Sequence, residues 1–198
     1  MMKRIILFLL FTCCVPVVVA DYDRLIGPGE YEYFLEWPSG VLVVNGGGAE
    51  WIEVRNSAHV EIWSTSPLGY NSGIWDIVLT KTSRLDYYGG ETQELTIGQN
   101  AVAYLHSGRI DYITSMQFTS TTGAGPHIDL YAQPGWSWLD DDWMKGIEGK
   151  WMDGSSFTIK FINHPNFDPV YTNINVIIPE PATLMLLGLG GLLIRRKK

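Results

Sequence analysis

The sequence predicts an all-β body, read as a short parallel β-helix or solenoid, with a β-sandwich or jelly roll as the alternative. Three observations predict it. Apolar and polar residues alternate with period two along several short runs. Aromatic and β-branched residues are frequent, and these fit a pleated, half-buried surface. The stretch 41–64 recurs at 84–107, as expected of stacked structural units.

Residues 1–20, MMKRIILFLLFTCCVPVVVA, read as a signal peptide. Lys3 and Arg4 form its positive start, Ile5 to Val19 its apolar stretch, and Ala20 a small residue ahead of cleavage by signal peptidase. The apolar stretch is interrupted by Pro16 and is short for a permanent span. Cys13 and Cys14 leave with this segment, so the mature chain is expected to hold no cysteine. Disulfides, thiolate nucleophiles and cysteine metal sites are thereby excluded from the mature body.

The body, residues 21–178, carries eight basic and 20 acidic residues, a net charge of −12 against −7 for the whole chain. So acidic a surface offers no patch to neutralise phosphates and argues against a nucleic-acid partner. Its length fits one domain.

Alternation marks the strands in turn. Tyr31, Tyr33, Leu35 and Trp37 form the first run, and Ile52 with Val54 and Val60 with Ile62 follow. Leu95 with Ile97, Ile110 with Tyr112, and Phe157, Ile159 and Phe161 complete the set. Residues 138–148 predict one short helix, capped by Asp140 or Asp141 and cut by Gly146 and Gly149.

The two copies of the repeat align without a gap at an offset of 43. Leu42/Leu85, Gly46/Gly89, Gly47/Gly90, Ala58/Ala101 and Ser64/Ser107 are identical, and Ile52/Leu95, Val54/Ile97 and Ile62/Leu105 keep apolar type. In a solenoid the offset predicts two coils of about 21 to 22 residues each, with Trp75 to Leu79 in the middle coil. The Gly-Gly pairs would stack as corners. The Tyr31–Trp37 run and the Trp151–Ile162 region would cap the two ends.

Motifs for chemistry are sparse. His59, His106, His127 and His164 show no metal-helix spacing. No phosphate-binding loop, dinucleotide fingerprint or G-x-S-x-G elbow is present. Asp140, Asp141 and Asp142 are the candidate ligands for calcium, which prefers several carboxylate oxygens held close together. Trp136, Trp138, Trp143 and Trp151 crowd the same region and are candidate carbohydrate contacts, since exposed Trp faces stack on sugar rings; core packing is the competing use for them.

The C-terminus adds a second address. Pro179-Glu180-Pro181 precedes thirteen uncharged residues, Ala182 to Ile194, and then Arg195, Arg196, Lys197 and Lys198. As a helix the apolar run is about 20 Å long, shorter than a hydrocarbon core of about 30 Å, and its basic end belongs on the cytoplasmic side. This three-part pattern resembles the PEP-CTERM sorting signal of exported proteins in Gram-negative bacteria, planctomycete-like ones among them. The resemblance covers residues 179–198. It implies a short transmembrane helix, transient anchoring in the inner membrane, and processing near the motif by an exosortase. It also implies a setting rich in exopolysaccharide, in biofilm or extracellular matrix.

These readings together predict a secreted, non-enzymatic protein with a structural or adhesive role at the cell surface or in a polysaccharide matrix. A carbohydrate-binding module is the second reading and a small polysaccharide-acting enzyme the third.

Overall fold

The computed structural model describes residues 22–117, 124–141 and 144–179. The signal segment, Asp142, Trp143 and the chain from Glu180 onward lie outside the described residues.

The chain zigzags between two sheets. β1 (Arg24–Ile26) lies in sheet A, and β2 (Tyr31–Glu32) and β3 (Leu35–Trp37) lie in sheet B. β4 (Val41–Asn45), β6 (His59–Ser64), β8 (Arg84–Tyr87), β10 (Val102–Leu105) and β12 (His127–Tyr131) return to sheet A. Between them β5 (Gly48–Val54), β7 (Ile74–Leu79), β9 (Glu91–Ile97) and β11 (Arg109–Ser115) extend sheet B. Sheet B then continues through β13 (Ser137–Asp141), β14 (Met144–Lys150) and β15 (Ser156–Ile162), and a 3-10 turn at Val170–Asn173 leads into β16 (Ile174–Ile177), the last strand of sheet A.

Sheet A is parallel throughout. Sheet B is parallel from β2 to β15 and turns antiparallel only at β15–β14–β13. Alternating, parallel, in-register strands make the body a β-solenoid. A Greek-key sandwich would need antiparallel neighbours.

Register explains which residues are apolar. Ile26, Val44, Ile62, Tyr87, Leu105, Leu130 and Val176 occupy one row across sheet A. Leu35, Ile52, Ile77, Leu95, Ile113 and Phe161 do the same across sheet B, as do Trp37, Val54, Leu79 and Ile97. These rows face each other and are almost wholly buried apart from Trp37 and Val176 at the two ends. Tyr87 is the one polar member of its row. Its hydroxyl donates to the carbonyl of Arg109 at 3.1 Å and accepts from Thr92 at 3.2 Å, so its burial leaves no unpaired oxygen.

The coils are unequal in length, which corrects the even division expected from the repeat. Val41 pairs with His59, a step of 18, and His59 with Arg84, a step of 25; together they make the offset of 43. Val102 and His127 then repeat the two steps. The shorter step is the basic coil; the first longer one carries its additional length in the loop around Ser66–Gly73, and the second between the end of β11 and the start of β12. β7 lies between β5 and β9, in the middle coil as the repeat predicts.

Corners follow from backbone geometry. Gly46 and Gly90 have positive φ, and so does Gly108, whose missing Cβ would fall 2.7 Å from the Gly90 carbonyl. The Gly46 and Gly90 corners lie two coils apart, so the Gly-Gly pairs do not stack directly. The Thr65 corner intervenes, with Ser66 N–H donating to the Gly47 carbonyl and Thr65 backbone 2.7 Å from where a Gly90 Cβ would sit. At the opposite corner the left-handed position is taken by Asn56, Lys81 and Gln99 in successive coils. Thr82 N–H donates to the Asn56 carbonyl and Asn100 N–H to that of Lys81.

The expected helix at 138–148 is instead the β13–β14 hairpin. Trp138 pairs with Ile147, and Ile147 with Ile159, so inward positions recur every second residue. The glycines expected to end a helix are there for the sheet. A Cβ on Gly146 would fall 2.3 Å from the Ile159 carbonyl, and one on Gly149 would fall 2.8 Å from Trp136. This hairpin caps one end, and β1 with β2 and β3 forms the other.

Two stability outcomes follow. Ile62→Ala opens a cavity inside the longest row and is expected to cost about 2–4 kcal/mol by urea unfolding. Lys81→Asn relieves a left-handed lysine and is expected to raise stability by about 0.5–1 kcal/mol in the same assay.

Candidate functional site

Each central strand of sheet B carries two successive outward residues between inward ones. They are Glu50-Trp51, Trp75-Asp76, Gln93-Glu94 and Asp111-Tyr112. Register lines up Trp51, Asp76, Glu94, Tyr112 and Lys160 across five strands. With neighbouring strands about 4.8 Å apart, this row runs for roughly 19 Å along the outer face.

The chemistry of the row is mixed. Trp51 and Trp75 are 37% and 38% exposed, large for indoles on a sheet. Trp75 is held by its Nε1–H, which donates to the Gly69 carbonyl at 3.2 Å. Glu94 accepts hydrogen bonds from the hydroxyls of Thr114 and Thr96. Burial pushes the Asp76 carboxyl up to about 6, and Glu94 and then Glu50 add to the shift. Lys160 lies 5.8 Å from the centre of the Tyr112 ring and closes the row with a cation. Such a face offers indoles for stacking and carboxyl oxygens for accepting hydroxyl protons.

Sheet A has a different outer surface. Trp63, Tyr88, His106 and Tyr131 stack in sequence, with ring centres 4.3, 4.8 and 4.3 Å apart. The faces of the inner rings are used up by their neighbours, so the row is chiefly structural. Burial in this stack lowers the pKa of His106, opposed by Asp86. Beside it, burial alone would raise the Asp86 carboxyl. The hydrogen bonds from His59 at 2.5 Å and from Arg84 at 2.6 and 2.9 Å outweigh it and hold the group at about 2.

The described tryptophans among those nominated from sequence differ in their surroundings. Trp151 is wholly buried, donates its Nε1–H to the Gly108 carbonyl at 2.8 Å and packs on Phe157. It belongs to the core and no ligand can reach it. Trp136 is half-buried against the core. Trp138 is 43% exposed and meets Trp136 edge-on at 5.2 Å. Trp143 lies outside the described residues.

Of the nominated aspartates, only Asp140 has a described side chain. Asp140 is ion-paired with Lys145 across the hairpin, Asp141 ends β13, and Asp142 lies outside the described residues. Among the described residues no group of three or more His, Cys, Asp or Glu side chains is placed to hold a metal ion. Of the sorting motif, Pro179 is exposed two residues beyond β16, and Glu180, Pro181, Arg195, Arg196, Lys197 and Lys198 lie outside the described residues. Among the described residues no helix is long and apolar enough to cross a membrane.

Sequence reasoning misses the exposed row on sheet B. A signal for it exists: the repeat aligns Trp51 with Glu94.

Comparison with known families places one segment. A family model described as the PEP-CTERM protein-sorting motif matches residues 178–198. Neither a curated protein nor a solved structure matches the chain. The match concerns the C-terminal tenth of the molecule and marks it as exported and sorted, with processing by an exosortase-type enzyme.

The raised Asp76 carboxyl gives a pH dependence of definite sign. The folded state holds its proton to about 6 and the unfolded chain only to about 4, so this group lowers stability as pH rises between them. Asp76→Asn is expected to gain about 1 kcal/mol at pH 7 after solvent screening, and close to nothing at pH 4, by urea unfolding at both values.

Proposed function

We propose that this exported solenoid is a structural, adhesive component of an extracellular polysaccharide matrix, and that the outer face of sheet B is its contact with the polymer. The observation that carries the reading is the pair of exposed indoles, Trp51 and Trp75, the latter held by Gly69, beside Asp76 and Glu94. Indole faces take the apolar face of a sugar, and the carboxyl groups accept its hydroxyl protons. A net charge of −12 on the body favours a neutral or hydroxyl-rich polymer over a polyanion. The sorting motif supports delivery to the surface, where such polymers lie. In this proposal the match to the sorting signal also supports a short membrane helix and transient inner-membrane anchoring before the cut.

The protein acts by binding, without turnover. Glycoside hydrolysis needs two carboxyl groups opposed across the bound sugar. Asp76 and Glu94 stand side by side on neighbouring strands of an open face.

Titration of the body with neutral polysaccharide, read by tryptophan fluorescence, tests this. Trp51→Ala and Trp75→Ala are each expected to weaken binding about 5–10-fold, with the unfolding midpoint little changed. Binding that survives both substitutions would place the contact elsewhere. Release of reducing ends by the wild type, lost in Asp76→Asn, would overturn the non-enzymatic reading.

A further inference from the structure

The C-terminal end of the solenoid carries a second surface. Sheet A stops at β16, whereas sheet B runs on past β15 through β14 to β13. Trp138 on β13 shares the inward side with Ile147 and Ile159, both fully buried, yet is 43% exposed because sheet A offers it no partner. The uncovered space is a groove of about 630 Å³ that Trp138, Phe161 and Tyr171 line, with Asp140 and Lys145 at its edge. Tyr171 is 54% exposed and Ile178, just past β16, is 45% exposed.

The chain itself indicates what meets this end. β16 finishes at Ile177, and only residues 178–181 separate it from the uncharged run Ala182–Ile194. Four residues, even fully extended, reach at most about 14 Å. The inference rests on the reading of that run as a membrane segment. On that reading, the end of β16, the last strand of sheet A, stands no further from the bilayer than this short link reaches, for as long as the tail remains attached.

We propose that the C-terminal end face, where Trp138 and Tyr171 line the groove, seats on the interfacial layer of a phospholipid bilayer. Indole and phenol rings have an apolar body and a polar edge, which suits headgroup depth. The acidic body gains nothing from an anionic surface, so the seat depends on ring insertion and not on charge. Held this way, the Pro179 link lies at the membrane surface. Once the tail is cut, the end face alone is a small patch that releases the protein outward.

The test uses the full chain with its tail attached, in phosphatidylcholine vesicles brominated at shallow or deep acyl carbons. The chain is expected to float with the vesicles, and shallow bromines to quench tryptophan fluorescence more than deep ones. Trp138→Phe should lose a share of that quenching which Trp75→Phe retains. Tyr171→Ala should reduce it too, providing a second variant at an exposed position outside the strands. High salt should change nothing. A chain that floats while Trp138→Phe and Tyr171→Ala leave quenching unchanged overturns the seat and spares the anchor. A groove filled by a second copy or by the folded-back tail would give that same result. A chain that fails to float overturns the anchor and the seat together.

Discussion

In-register parallel stacking is the constraint on which the molecule depends. Each coil repeats the position of the one below, so a residue's fate is decided by its row. Ile26 to Val176 in one sheet and Leu35 to Phe161 in the other can be apolar only because the neighbouring coils present apolar groups at the same height. The same rule operates outside. It stacks Trp63, Tyr88, His106 and Tyr131 into one aromatic row, and it sets Asp76 beside Glu94 whether or not the two carboxyl groups repel. Like charges brought together this way must be relieved locally. Arg84 and His59 relieve Asp86, whereas burial and the neighbouring Glu94 make Asp76 hold its proton up to about 6.

Much of this is legible in the sequence, and the reason is the same repetition. Leu42/Leu85 and Ile62/Leu105 stand in shared rows because a shorter and a longer step recur in the same order, and Gly46 and Gly90 turn corresponding corners. The length of each coil is hidden for a plain reason. An offset gives only the sum of two coils, and the additional residues of the Ser66–Gly73 loop divide that sum unequally. At 138–148 the glycines read as helix breakers, although Gly146 and Gly149 are glycine because strand backbone and aromatic rings approach them closely.

The candidate site is less legible. Four tryptophans close in sequence draw attention to 136–151, but their cover differs: Trp151 is buried and donates to the Gly108 carbonyl, while Trp138, also on the inward side, lies beyond the last strand of sheet A. Residues far apart in sequence, Trp51, Asp76, Glu94 and Tyr112, are brought together by register alone. That register depends on where the extra loop residues fall, which period-two alternation does not reveal. The sorting motif is legible because it is read locally, as a string of adjacent residues, and needs no fold to assemble it.

The unequal pair of coils has a consequence for how such a molecule can change in size. Because one short and one long coil together restore the starting register, duplication of such a pair would insert two complete rungs with every row still aligned. The interior would gain apolar rungs of the same kind, and the ends would be untouched. Each such event lengthens the outer face of sheet B by about 10 Å. Growth by whole modules can therefore change the reach of that outer face without redesign of the core.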